Sequence, residues 1–172
     1  IVPVDPSPLV STKTARDRLR EIRQFVTEEL REGLDGDYAV IPGTGKKPSL
    51  LQPGAEKLLE KLGLSPAFPE THWAYEDHKR GEYIVDVLCQ LANPYTNAVY
   101  AQCWGSAGRS AQEELDGANA KAREYAIRDK KPVPSPRTLG FRDVGLARNT
   151  ALKMAQKSAL VGATLKAARL AV

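Results

Sequence analysis

Apolar residues near the start of the chain fall at helical spacing. Ala15, Leu19, Ile22, Val26 and Leu30 recur every three or four residues and line one stripe of a helix that Gly33 stops. Thr14-Ala15-Arg16-Asp17 resembles a capping box with Asp in place of Glu, which predicts a helix start at Thr14. The pattern is that of an amphipathic helix facing a core. Ahead of it, residues 1–11 contain three prolines and read as an irregular arm. Residues 37–51 read as a short extended stretch with turns. A second helix follows from Pro53, a residue suited to a first helical position. It carries Ala55, Leu58, Leu59 and Leu62 and ends at Gly63.

In the middle of the chain the period changes to two. Residues 71–76, 82–91 and 98–104 read as strands, joined by His78-Lys79-Arg80-Gly81 and Asn93-Pro94-Tyr95-Thr96-Asn97. Tyr83, Val85, Val87, Cys89 and Leu91 share one face of the second strand, and Val99, Ala101 and Cys103 one face of the third. These are the core face of a predicted antiparallel meander. Residues 110–128 read as a weak helix with Gly117 inside it, and the three prolines of residues 129–139 make a loop. The last helix begins at Asp143 or Asn149 and runs to about Arg169. Along it Asn149, Lys153 and Lys157 recur every four residues, while Ala151, Ala155, Ala159 and Gly162 form an opposite small-residue face. Small residues let a helix press closely on a sheet or another helix. Met154, Val161 and Leu165 flank that face on one side and Leu152 on the other; Leu160 interrupts the lysine stripe. With no internal repeat and no domain boundary, residues 1–172 read as one α+β domain, with an arm over 1–12 and a loop over 129–142.

Composition adds little until charge is divided along the chain. An apolar fraction of 42% is ordinary for a globular protein. No apolar run approaches the roughly 20 residues a membrane helix needs. The proline-punctuated start lacks the pattern of a signal peptide. Two cysteines without metal-ligand spacing fit a reducing compartment, and a cytoplasmic location is expected. Residues 121–172, however, hold twelve Lys/Arg against three Asp/Glu, a net +9, while residues 1–120 carry a net −5. Such segregation is the footprint of a surface for a polyanion, or of a solvated basic helix face.

Little in the chain looks catalytic. Gly43-Thr44-Gly45-Lys46-Lys47 has the look of a phosphate-binding loop, but Val40 stands where the pattern needs Gly and Lys47 where it needs Ser or Thr. Lys46 and Lys47 are left as backbone-phosphate contacts or as a solvated loop tip. His72 and His78 have no completing ligand set. Cys89 and Cys103 fall on one hairpin face in a diagonal relation and read as buried free thiols. No metal, cofactor or catalytic residue is expected. Trp104, Tyr100 and Phe141 are candidates for base stacking; for Trp104 and Tyr100, packing in the core or between subunits is the stronger reading.

Two blocks resemble a known family. One is Asp37-Tyr38-Ala39-Val40-Ile41-Pro42-Gly43, continued by Lys47-Pro48-Ser49-Leu50-Leu51-Gln52-Pro53-Gly54-Ala55-Glu56-Lys57-Leu58. The other is Asn149-Thr150-Ala151-Leu152-Lys153-Met154-Ala155-Gln156-Lys157-Ser158-Ala159-Leu160-Val161. Both are similar to blocks of bacterial and phage single-strand DNA annealing proteins of the Rad-fifty-two-like superfamily. The resemblance spans roughly residues 14–168, without an alignment for 105–142. It implies a β-β-β-α core in which a curved antiparallel sheet packs on the long C-terminal helix, with N-terminal helices before it. It also implies a homo-oligomeric ring or filament in a bacterial or phage-infected cell. Such an assembly holds single-stranded DNA in a basic groove with the bases exposed and hydrolyses no nucleotide. Lys153 and Lys157 are the groove candidates. Arg148, Asn149, Lys46, Lys47, Arg137, Arg142, Lys130 and Lys131 complete the expected nucleic-acid contacts. The chain departs from the pattern in a loop one residue longer at Thr44-Gly45-Lys46, and in Ser158 where the family has Arg. The latter leaves one contact missing or displaced to Arg148 or Lys166. The expectation is ATP-independent annealing of complementary strands in recombination and repair; a nuclease and a basic protein-interaction module are the alternatives.

Overall fold

A computed structural model describes residues 12–42 and 45–168. The expected arm over 1–11, Gly43 and Thr44 of the glycine loop, and the helix end at Arg169 lie outside the described residues. The elements are α1 (Thr12–Glu29), β1 (Tyr38–Ala39), β2 (Ser49–Leu50), α2 (Gln52–Leu62), β3 (Ser65–Asp77), β4 (Glu82–Ala92), β5 (Val99–Ser110), α3 (Ala111–Arg128) and α4 (Phe141–Ala167). β3, β4 and β5 form an antiparallel meander in sequence order, and β1 and β2 a separate antiparallel pair. α4 packs across β4 and β5. The fold is the expected α+β one.

The core is set by period two on β4 and by a row of alanines on α4. Tyr83, Val85, Val87, Cys89 and Leu91 are all buried. Ala147, Ala151, Ala155, Ala159 and Ala163 have no exposed surface, and they meet the sheet as an i, i+4 ridge. The sheet answers with its own missing side chain. A Cβ on Gly105 of β5 would lie 2.3 Å from the Ala155 carbonyl oxygen and the Ala159 nitrogen. Near the far end of α4, a Cβ on Gly162 would lie 2.7 Å from Cys103 Sγ. α2 covers the C-terminal part of the helix, where Leu59 joins Cys89, Leu91, Ala159, Leu160 and Ala163. Leu160 interrupts the lysine stripe because α2 takes over there.

The N-terminal block has its own lock. Asp37, almost fully buried, accepts hydrogen bonds from the Arg31 amide at 2.9 Å and from Lys57 Nζ at 2.7 Å. The Lys57 bond, working against burial, holds the Asp37 carboxyl below its usual range. A Cβ on Gly54 would sit 2.3 Å from the Asp37 carbonyl oxygen, so the helix start can approach only with glycine there. The Asp, Gly and Lys of the first block therefore form one structural unit.

Several expectations need correction. α1 starts at Thr12, so Thr14 lies inside the helix and Thr14-Ala15-Arg16-Asp17 does not cap it; the helix ends at Glu29, short of Gly33. The apolar stripe is only half-covered: Ala15, Leu19, Ile22 and Val26 are half-buried while the rest of the helix apart from Phe25 is exposed, and only Leu30, just past the helix end, is buried. β3 begins six residues earlier than predicted. It accommodates Pro66 and Pro69 because it is an edge strand, with a register shift between Ala67 and Glu70. β5 runs on to Ser110. Val99 is not on the core face: a register shift at Leu91/Ala92 leaves Tyr100 unpaired and flips the parity, so Val99 is 52% exposed. Cys89 and Cys103 are directly opposite, not diagonal. Both are free, and burial with the neighbouring thiol pushes Cys89 up to about 11. α4 begins at Phe141, two residues before Asp143, whose carboxylate accepts the Gly140 amide. α3 is a full helix despite Gly117, with the Ser110 hydroxyl accepting from the Glu113 amide.

Candidate nucleic-acid interface

The alanine ridge fixes which way α4 turns its polar side. At 100° per residue, Arg142, Asn149, Lys153 and Lys157 lie along the face turned away from the sheet, over roughly 22 Å of helix. All four are exposed. Lys153, Lys157 and Arg142 have no hydrogen-bond or ion-pair partner among the described residues. Lys153 and Lys157 are about 6 Å apart along the axis, the scale of successive backbone phosphates. Lys157 marks the end of the stripe. It lines a cleft of about 370 Å³ with Leu34, Gly36, Gln52, Pro53 and Glu56, where the start of α2 meets α4. Lys46 and Lys47 are exposed on the loop between β1 and β2, and β2 leads directly into that end of α2.

The other expected contacts are engaged elsewhere. Arg148 Nε pairs with Glu76 Oε1 at 2.9 Å, and its guanidinium lies 4.1 Å from the Trp73 ring. It ties α4 to β3, and its charge is offset. Arg137 pairs with Asp143 at 2.9 Å and exchanges two backbone hydrogen bonds with the Asn119 side chain, holding the proline loop on α3. Lys130 and Lys131 are exposed past the C-terminus of α3; Lys131 lies 3.6 Å from Asp129. Lys166, a possible substitute for the missing Arg, donates to the Gln102 carbonyl of β5.

The three aromatic candidates separate. Phe141, 94% exposed, stands in the first turn of α4 beside Arg142. Trp104 and Tyr100 are exposed on the opposite side of the sheet from α4. Alternation and register place Glu70, Glu82 and Asp86 on that same outer face. β3 and β4 contain no Lys or Arg, and the Arg109 guanidinium of β5 reaches Met154 on α4. An aromatic surface set among carboxylates repels a polyanion. Sequence reasoning missed this division because aromatic type and exposure say nothing of which side of a sheet a residue takes.

No protein-family model matches the chain, and no curated protein matches it. Among the described residues no group of three or more His, Cys, Asp or Glu is placed to hold a metal ion. No described helix is long and apolar enough to cross a membrane.

Proposed function

We propose that the protein binds single-stranded DNA without sequence preference along the outer face of α4. As a homo-oligomer it anneals complementary strands without ATP, in the cytoplasm of a bacterial or phage-infected cell. The observation that carries this reading is the unpaired stripe of Arg142, Lys153 and Lys157, held outward by an alanine ridge that leaves α4 no freedom to rotate. Cations at phosphate spacing neutralise a strand and lower its repulsion from a complement. Several strands held on one scaffold raise the effective concentration for pairing. Phe141, exposed in the first turn of α4 but turned well around the helix from the stripe, supplies a ring for a base where the strand leaves the helix. The similarity of the two sequence blocks to annealing proteins supports the same reading.

The test is binding of labelled oligo-dT and of duplex across a salt series. Oligo-dT should bind more tightly, with an affinity that falls steeply as salt rises. Equal or tighter duplex binding, or a flat salt dependence, would sink the reading.

A further inference from the structure

Where the lysine stripe of α4 ends, a tight turn and the start of α2 form a cleft. Leu160, one turn on from Lys157, is buried under α2. A strand that follows Arg142, Lys153 and Lys157 toward the C-terminal end of α4 therefore meets α2 and turns off beside this cleft of about 370 Å³. Its walls are fixed pieces of chain. The turn Gly33–Gly36 is closed by the Gly36 amide donating to the Gly33 carbonyl at 2.9 Å, and the Asp37 amide donates to the Arg31 carbonyl at 2.7 Å just beyond it. The start of α2 is seated on Asp37, whose carbonyl accepts the Leu51 amide at 2.8 Å and stands 2.3 Å from where a Cβ on Gly54 would lie. The cleft is preformed, as small-ligand sites are.

Its lining is sorted by chemistry. Leu34 and Pro53 supply apolar walls. Leu34 is 67% exposed at the first central position of the turn, a place usually taken by Pro, Gly or a short polar residue. The polar atoms of the walls are mostly acceptors. The Asp35 carboxylate has no hydrogen-bond or ion-pair partner among the described residues. Gln52 donates its amide to Glu56 Oε1 at 2.9 Å, which leaves the Gln52 carbonyl oxygen and the second Glu56 oxygen to accept. Lys157 is the one cation of the lining, and it is exposed. Lys47 is four residues before Leu51, at most about 14 Å of extended chain away. Carboxylates inside and lysines on the approaches keep a phosphate out and admit a neutral ring that carries donors.

We infer that this cleft takes one nucleobase of the bound strand, packed against Leu34 and Pro53, and prefers a base with an exocyclic amino group over thymine. Cytosine and adenine present an amino donor where thymine presents the O4 acceptor. An amino group turned into the cleft donates to Asp35 or Glu56. A thymine O4 in the same place loses its water and faces acceptors instead. The stripe touches phosphates and reads no base, so the preference belongs to the one nucleotide per subunit at the cleft. The inference rests on the functional reading, because the strand reaches the cleft along α4.

The experiment compares binding of oligo-dT with an equally long oligomer of 5-methyl-deoxycytidine to the full chain, at mildly alkaline pH where the cytosines are neutral. The two share backbone and methyl group and differ at the amino edge. Wild type should bind the methylcytosine oligomer at least about fivefold more tightly. Asp35→Asn with Glu56→Gln gives the cleft donors as well as acceptors, so the two affinities should become equal. Removing two negative charges raises both affinities together, and the ratio is the readout. Leu34→Ser, at an exposed turn tip, should weaken both oligomers by about threefold with the salt slope unchanged, because no phosphate contact is lost. Equal wild-type affinities, a preference that survives Asp35→Asn with Glu56→Gln, or a Leu34→Ser variant that binds like wild type overturns the cleft. Salt-dependent binding of both oligomers in equal measure leaves the functional reading standing without it. Failure to bind either oligomer ends both.

Discussion

α1 and α4 both announce themselves as amphipathic helices, and they end in different situations. α4 buries a five-alanine ridge completely, and α1 leaves its apolar stripe half-buried. The difference is not in the regularity of the spacing. It lies in whether the chain holds a second surface shaped for the first. α4 removes side-chain bulk along its ridge, and β5 removes it again at Gly105, so backbone meets backbone. α1 keeps bulky Leu19, Ile22 and Val26, and they are only half-buried. Periodicity says that a helix has an inside; complementarity says whose inside it is.

The sharpest way to break the α4 half of this contrast is to refill the missing bulk. Gly105→Val would drive carbon into the backbone of Ala155 and Ala159, which no side-chain rotation relieves. A loss of about 3 kcal/mol or more is expected, seen as a fall in Tm of roughly 6–12 °C. Ala155→Leu tests the same contact from the helix side and should fall in the same range. Unchanged melting in either variant would mean that α4 does not lie this close to β5.

Next in size is the lock that positions the anchor of α1. Asp37→Asn leaves Lys57 without its charge partner, and an expected loss of about 2 kcal/mol at pH 7 follows from breaking a largely buried charged hydrogen bond. The pH dependence has a definite sign. The folded Asp37 carboxyl lies below its ordinary range, so its contribution is present above the unfolded value near 4. That contribution disappears as pH falls through the lower folded value. Melting of both proteins from pH 7 down to pH 2 should show the gap closing only below about pH 4. A gap that is constant across that range would remove the ion pair as the cause.

These cases show what was legible in the sequence. The core face of β4, the small-residue face of α4 and the glycine stop of α2 follow from local pattern alone, and all three stand. Val99 was misplaced because one bulge residue, Tyr100, reverses parity without any local signal. The early start of β3 was hidden by Pro66 and Pro69, which are tolerated only because the strand lies at an edge, a tertiary fact. The lysine stripe of α4 was readable from spacing. The pairing of Arg148 with Glu76 and of Arg137 with Asp143 was not, since the first spans 72 residues and the second needs the proline loop folded back.

The α1 half of the contrast is tested by a substitution that should do less than its size suggests. Leu19→Ala with Ile22→Ala removes as many carbons as two core truncations, which together would cost several kcal/mol in a buried site. In the unassembled chain, diluted below any association, Leu19 and Ile22 are only half-buried, so the loss should be about half of that. Denaturant titration at low and high protein concentration separates the two contributions. A loss as large as two core truncations at low concentration would show that the stripe is fully covered inside its own chain.

The smallest effect on stability belongs to the solvent side of α4, and there the contrast between folding and function is widest. Lys153→Ala with Lys157→Ala removes two exposed, unpaired cations, so the melting temperature should stay within about 0.5 kcal/mol of wild type in equivalent stability. Binding should respond quite differently. Each lost contact on a single strand lowers the slope of log affinity against log salt by about 0.7, so the pair should lower it by roughly 1.4. Affinity for oligo-dT should fall most at low salt, where the two charges count most, and annealing should slow with it. Arg148→Ala is the matched control. It removes a cation from the same helix, but one already neutralised by Glu76 and stacked on Trp73, so it should disturb folding more than the salt slope. If the double lysine variant anneals at the wild-type rate while Arg148→Ala abolishes binding without unfolding, the strand runs along the β3 side of α4 and not along its outer stripe.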